Sequence, residues 1–411
     1  MGLLDEQQGR CTGTADGTSV RRIGVLTGGG DSPGLNAAIR GVTLTAIRRY
    51  GMEVVGFIDG FSGLFQGDEG WVSLTEDTVQ GIEMRGGTIL GTANRGNPFS
   101  MVVRDGQGRP LRDENGQVLT HDRSQEAADR LQELGIDGLV CIGGDGTLSM
   151  SREFYDKLNV PLVGVPKTID FDLSGTEATF GFETAVQVAT EALDRLRTTA
   201  ESHDRVMILE LMGRYAGWIS LHAGIAGGAH AILLPELPYD AEAVYARVVE
   251  RFRRQRKFSL VVISEGARPI DGAHAVAEER DHPHGLPVLG GAGERLRKEL
   301  EQLAREEAER VADAGEYPAD SPEMRLVVLG HIQRGGTPDP RDRVIATACG
   351  SHAVEMVAAG RFGRMSCWLG DGPGDVPLSE ATVPHLVQTE TDPLIQVARS
   401  IGICLGDASE D

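Results

Sequence analysis

The sequence predicts an α/β protein: two similar lobes of mostly parallel sheet flanked by helices, with the functional site in the cleft between them. Three observations carry this expectation. Short apolar runs alternate with helical patterns along nearly the whole chain. The alternation occurs once in each half. Glycine-rich turns follow the strand-like runs, where ligands of open α/β sheets bind.

In order, RIGVLTG (22–28) reads as a buried strand. PGLNAAIRGVTLTAIRRYG (33–51) reads as the next helix, with Ser32 or Asp31 as N-cap, Pro33 in the first turn and Gly51 as the stop. EVVGFIDG is a second strand and RSQEAADRLQELGI a helix. The strand GLVCIGGDGT, a helix from about Leu148 and the strand PLVGVPKTID complete the first half. The second half repeats the scheme. The segments beginning at Glu183, Tyr215 and Ala243 are helical, and RVMILELMG, AILLPE and SLVVISEG are strands. Residues 268–322 read as an insertion: a polar, loop-like stretch, then a charged amphipathic helix with Leu296, Leu300, Leu303 and Val311 on roughly one face.

Composition narrows the function. The chain has 411 residues, 61 acidic against 40 basic, and a formal charge of −21. Such a field repels nucleic-acid backbones and anionic membranes, although a local basic pocket can still take a small phosphorylated ligand. Five scattered cysteines with no CxxC pair suggest reduced thiols in a cytoplasmic protein. No apolar run approaches the ~18 residues that span a bilayer. Residues 1–20 lack a signal-peptide core, and Glu6 breaks the myristoylation pattern, so they read as a mobile tail.

Two glycine loops carry chemistry. LTGGGDSPGLN (26–36) follows a strand and opens a helix, so backbone N–H groups can face an anion. Pro33 rules out the dinucleotide fingerprint, and no GK[ST] makes it a Walker A loop. VCIGGDGTLSM (140–150) repeats the arrangement. There Asp145 could hold Mg²⁺, Gly144 and Gly146 could admit phosphate oxygens, and Thr147 could cap the next helix. Together the loops suggest a polyphosphate held between helix N-termini, with one metal.

VPKTIDFDLSG (165–175) supplies the acids. If the stretch is extended, Thr168, Asp170 and Asp172 share one face and Lys167, Ile169 and Phe171 the other. Phosphoryl transfer to an alcohol needs a base near the hydroxyl, and an Asp at a cleft strand tip meets that need. Turn or capping acids are the alternative. Arg205, Arg214, Arg325 and Arg334, with His331, lie near predicted strand ends, and an Arg fork matches phosphate oxygens.

Taken in order, GVLTGGGDSPGLNAAIRG, IGGDGT, PKTID.D, MGRYAG, Pro235-Glu236 and GHIQRGG.P resemble the 6-phosphofructokinase family from about Arg22 onward. The resemblance implies a phosphofructokinase-like fold and phosphoryl transfer to the 1-hydroxyl of fructose 6-phosphate. Asp170 would be the base, Thr168 would stabilise the moving phosphoryl, and Asp172 would support the base or metal. Asp145 would serve Mg²⁺, while Gly30, Gly144, Gly146, Thr147 and Lys167 would line the donor site. Arg95, in GTANRGNPF, would bridge the donor phosphates. Met212, Gly213, Arg214, Glu265, His331 and Arg334 would hold the sugar phosphate. Arg205 and Arg325 would reach the 6-phosphate from a neighbouring subunit, so a homodimer or homotetramer is expected. Residues 21–181 and 333–385 would form the donor lobe, and 182–332 and 386–411 the sugar-phosphate lobe.

Gly146 leaves room for an adenylate and points to ATP, whereas Lys167 is typical of pyrophosphate users; the pairing resembles a mixed-substrate subgroup. Met150 departs from a glycine beside the nucleotide. Arg247, Arg251, Arg253, Arg254, Arg256 and Lys257 read as a solvated helix face. The resemblance implies instead an ADP or phosphoenolpyruvate effector site with residues matching Arg40, Arg197 and Glu236, weakened or altered because Leu44 replaces a basic residue expected after Arg40. Phe171, where the family usually has Asn, favours a third reading, a non-catalytic regulatory paralogue. Another GGDGT kinase, such as an NAD kinase, would lack the MGR and GHIQRGG segments.

Overall fold

A computed structural model of the chain describes residues 19–93, 96–278, 288–313 and 322–407. Most of the tail predicted at 1–20, parts of the 268–322 insertion, Arg95 and Cys11 lie outside the described residues.

The first half builds β1 (Arg22–Thr27), α1 (Leu35–Tyr50), β2 (Glu53–Phe57) and β3 (Trp71–Leu74). A small antiparallel pair, β4 (Met101–Val102) and β5 (Thr120–His121), precedes α2 (Ser124–Glu133). Then come β6 (Gly138–Gly143), α3 (Asp145–Leu158), β7 (Leu162–Thr168) and β8 (Phe180–Gly181). The second half builds α4 (Phe182–His203), β9 (Arg205–Leu211), α5 (Trp218–Ala226), β10 (Ala231–Leu233), α6 (Ala241–Arg253) and β11 (Ser259–Ser264). The insertion contributes β12 (Val276–Glu278), β13 (Val288–Leu289) and α7 (Ala292–Asp313). β14 (Glu323–Val328), α8 (Pro340–Ala358), β15 (Arg364–Leu369), β16 (Gly372–Pro377), α9 (Leu378–Ala381) and α10 (Pro393–Ser400) follow.

The strands form two principal sheets. The larger runs β16-β15-β7-β6-β1-β2-β3, with β8 paired to β7. Its centre is parallel, and antiparallel pairs close both edges. The smaller runs β10-β11-β9-β14 and is parallel throughout. Both sheets are covered on both faces, because successive residues of a strand point to opposite sides. On β1, Ile23 and Val25 join one core cluster and Leu26 another. On β9, Leu209 and Leu211 face one cluster, Val206 and Ile208 the other.

Sheet order positions the site. The chain leaves β1 toward β2 on one side and returns to β6 on the other, so a crevice opens beyond the carboxyl ends of β1 and β6. The two glycine loops lie there. In the smaller sheet, the segments after β9, β11 and β14 carry Met212–Arg214, Glu265 and Gly330–Arg334.

Some local expectations change. Helix α1 starts at Leu35 after Gly34 in a left-handed conformation, so Pro33 precedes it and neither Ser32 nor Asp31 caps it. Ser32 Oγ instead donates to Phe180 O at 3.1 Å, tying the first glycine loop to β8. Helix α3 starts at Asp145, which places Thr147 inside it rather than at its cap. In α7 the buried face is Leu296, Leu300 and Ala304, while Leu303 and Val311 are only half-buried. The four described cysteines are buried and free of disulfides.

Candidate active site

Strand β7 brings the acids to the crevice, but not by alternation. The regular strand ends at Thr168, and Phe171 has φ 54°, in the left-handed region. A bulky L-residue is held there at a cost of about 1–2 kcal/mol. The turn is organised by Thr168, whose Oγ1 accepts from the Asp170 amide at 3.0 Å and donates to Asp172 Oδ1 at 2.9 Å. Thr179 Oγ1 donates to Thr168 O at 3.0 Å and anchors the strand end.

The predicted two-sided division therefore fails for Lys167. Its side chain is buried, and its ammonium donates to Gly30 O, on the side of the acids. Burial and Arg334 push the ammonium down to about 8, while Asp170, Asp172 and Asp31 oppose that shift. Phe171 does leave the acids. Its ring packs on Phe182, Trp218 and His385, with centroids 5.1, 5.6 and 4.8 Å away.

Asp170 has a buried Oδ1 without a hydrogen-bond partner among the described residues. Burial pushes its carboxyl above the usual carboxylate range, against the pull of Arg334, Arg214 and Lys167. Asp172 is pushed up to about 6 by burial and then by the Asp170 charge, with a smaller push from Asp145. The three acids thus share one field.

The donor-side loops converge on the same place. A Cβ on Gly28 would lie 2.5 Å from Thr147 Oγ1, and one on Gly30 would lie 2.8 Å from Arg334 Nη1. Thr147 Oγ1 is buried without a hydrogen-bond partner among the described residues. Gly144 precedes α3 against the carbonyl of Lys167, whereas a Cβ on Gly146 would meet nothing within 4 Å. Asp145 is exposed at the start of α3 and accepts from Ser149 Oγ at 3.2 Å.

The smaller sheet supplies the opposite wall. Arg214 has φ 53°, and its amide donates to Glu265 Oε1 at 3.2 Å. Burial and the Asp170 charge push the Glu265 carboxyl up to about 7. Gly213, at φ 138°, passes so close that a Cβ would lie 2.6 Å from Ala216 O. Met212 N donates to Gln333 Oε1 at 2.9 Å. Arg334 Nη1 donates to Asp31 O at 3.0 Å, bridging the two sheets' loops, and His331 is exposed beside it.

Arg205 and Arg325 lie elsewhere. Arg205 opens β9, about 20 Å along the strand from Leu211, and lies opposite Glu323 on β14, with Arg325 two residues further on, opposite Met207. Within one chain they do not join the cluster; both pair with Glu323. Sequence reasoning missed Glu323, Gln333, Thr179 and His385. Gln333 alone had a signal, lying inside GHIQRGG.

The residues expected around the arginine-rich helix do not converge simply. Arg247, Glu250, Arg251, Arg254 and Arg256 line a cavity of about 320 Å³. Burial and the neighbouring Arg247, Arg256 and Arg197 push Arg251 down to about 10. Glu236 instead accepts from the amides of Gly217 and Val387, and Arg40 pairs with Glu83 at 3.3 Å.

Two mostly parallel sheets whose glycine loops and cationic side chains surround a buried carboxylate define a phosphotransferase of α/β class. A family model described as Phosphofructokinase matches residues 22–357, and the chain belongs to that family. It is 44% identical over 389 residues to "ATP-dependent 6-phosphofructokinase 2" of Clostridium perfringens, covering 94% of this chain and 99% of that protein. It is 46% identical over 361 residues to "Pyrophosphate--fructose 6-phosphate 1-phosphotransferase" of Streptomyces coelicolor, covering 88% and 94%. Among solved structures, phosphofructokinase from Saccharomyces cerevisiae superposes with a TM-score of 0.67 at 28% identity. That match covers 88% of this chain and 45% of the yeast chain.

Proposed function

We propose that this chain transfers the terminal phosphoryl group of ATP to the 1-hydroxyl of fructose 6-phosphate, giving fructose 1,6-bisphosphate in glycolysis. The observation that carries the reading is Asp170: a buried carboxylate with an unpartnered oxygen, made more basic by burial and facing Lys167, Arg214 and Arg334. Such a group can take the proton of an attacking hydroxyl. The names of several relatives, 40–46% identical over most of the chain, support the reaction.

In this reading, Thr168 fixes the turn and hydrogen-bonds Asp172, while Arg214 and Arg334 neutralise charge on the sugar phosphate and the moving phosphoryl. Met212, Gly213, Glu265 and His331 shape the sugar-phosphate wall. Gly30, Gly144, Gly146 and Thr147 leave room for the donor phosphates; Arg95, expected to bridge them, lies outside the described residues. No group of three or more His, Cys, Asp or Glu suited to a metal occurs among the described residues. A single exposed carboxylate at a helix start nevertheless fits Mg²⁺, which keeps several waters and takes further ligands from substrate phosphates. Asp145 would hold it, and the ion would supply charge neutralisation on the donor. Residues 21–181 with 333–385 form the donor lobe, and 182–332 with 386–411 the sugar-phosphate lobe. Arg205 and Arg325 serve a neighbouring subunit's 6-phosphate in a cytoplasmic homo-oligomer.

Lys167 favours a second reading, with pyrophosphate as donor, because its ammonium already lies against the Gly29–Gly30 backbone. A coupled assay with fructose 6-phosphate and either donor separates the two. Turnover with ATP is expected, and activity with pyrophosphate alone would overturn the choice of donor. Asp170→Ser should lower kcat by at least ~10²–10⁴ while substrate binding survives. Near-normal turnover in that variant would remove Asp170 from the chemistry.

A further inference from the structure

The turn that presents Asp170 and Asp172 is strapped by a segment far away in sequence. Leu173 bridges to Pro384, and Ser174 N donates to Val383 O at 3.2 Å. His385 completes the strap twice over. Its amide donates to Asp172 O at 2.9 Å, and its ring Nδ1 lies 3.0 Å from Phe171 O. Facing a carbonyl, that nitrogen must be the protonated one. Phe171 is the residue in left-handed conformation, so the bond falls on the strained peptide between the two acids.

The imidazole is itself fixed. It stacks on Trp218 with centroids 4.7 Å apart and planes 18° from parallel, and it meets Phe171 edge-on. Trp218 Nε1 donates to His385 O at 3.0 Å. Besides these backbone bonds, which a substitution of the side chain leaves in place, two side-chain contacts of His385 could hold the turn: the ring stack, or the hydrogen bond to Phe171 O. The stack acts on side chains that also pack in the core of the smaller sheet. The hydrogen bond acts on the backbone whose direction decides where Asp170 points.

We propose that His385 is a positioning residue for the reaction: its Nδ1–H, bonded to Phe171 O, holds the left-handed turn that aims Asp170 at the acceptor hydroxyl. The inference rests on Asp170 being the base. The contacts of His385 are with the turn and with Trp218 rather than with the residues read as holding the substrates, so its effect belongs to kcat rather than to KM.

Two variants separate the bond from the stack. His385→Asn keeps an N–H donor at nearly the same distance from the backbone and loses the ring. His385→Phe keeps the ring and loses the donor. Full-length proteins are assayed with fructose 6-phosphate and ATP, and amide exchange is followed in the peptide covering 169–175. The expected result is a 10- to 100-fold lower kcat for His385→Phe, with both KM values within about twofold and faster exchange in that peptide. His385→Asn should stay within about threefold of the parent in kcat. Parent-like kcat and exchange in His385→Phe would overturn the proposal. So would equal losses in both variants that merely follow their melting temperatures. Exchange is read without turnover, so an inactive parent would refute Asp170 as base and leave the hydrogen bond's hold on the turn separately decided.

Discussion

Asp170 and Gly146 occupy neighbouring parts of the crevice and divide its work. Asp170 draws its basicity from burial, and the cations around it keep that shift in check. Gly146 contributes by what it lacks. The second position of α3 could hold a larger side chain, since a Cβ there meets nothing within 4 Å. Gly146→Asp should therefore fold normally while filling the space an adenylate would use. The expected result is kcat/KM for ATP lowered by roughly tenfold or more, with an unchanged melting temperature, because carboxylates are favourable in a helix first turn. Unaltered ATP kinetics in a well-folded variant would show that the nucleotide does not pass over this position.

At the scale of elements, the proposed site is built from strand ends. β1 and β6 open onto glycine loops, β7 onto the acid turn, and β9, β11 and β14 onto the wall proposed for the sugar phosphate. All follow from parallel pairing, which puts the carboxyl ends of successive strands on one side. Most of this was legible in the sequence, because a buried parallel strand reads as an apolar run and its loop as glycine and polar residues. The course of 169–172 was not. Period-two reasoning holds only where a ladder keeps the chain extended, and the strand stops at Thr168. Beyond it, hydrogen bonds from Thr168 and His385 choose the conformation, which brings the acids to the side taken by Lys167, still within β7. At the other end of β9 and β14, Glu323 pairs with both Arg205 and Arg325. If a neighbour's 6-phosphate competes for these arginines, Glu323→Gln should lower the KM for fructose 6-phosphate by about two- to fivefold, the range of an exposed ion pair. A rise in KM would show that Glu323 instead orients the arginines for the substrate.

For the whole molecule, the buried carboxylates of the crevice tie stability to pH. Glu265 is pushed up to about 7 by burial, with Asp170 adding to the shift. Its folded pKa lies above its unfolded value. Its stabilising contribution is therefore fully present below about pH 4.5 and lost as pH rises through about 7. Glu265→Gln removes that dependence. Its melting temperature should match the parent near pH 4.5 and exceed it by roughly 2–5 °C above pH 7, while its KM for fructose 6-phosphate rises. A constant difference across that range would place the titration elsewhere.

The order of strands and helices, the glycine loops at their carboxyl ends and the family of the chain could all be read along the sequence. These rest on local pattern: apolar periodicity, turn residues and motif spacing. Tertiary structure alone decided which side Lys167 takes, how Phe171 is accommodated and what holds the turn between the two acids. The reason is distance along the chain. His385 lies 214 residues from the carbonyl it holds. No local preference of Phe171 for a left-handed conformation could have announced it, because that conformation exists only where distant contacts outweigh its intrinsic cost.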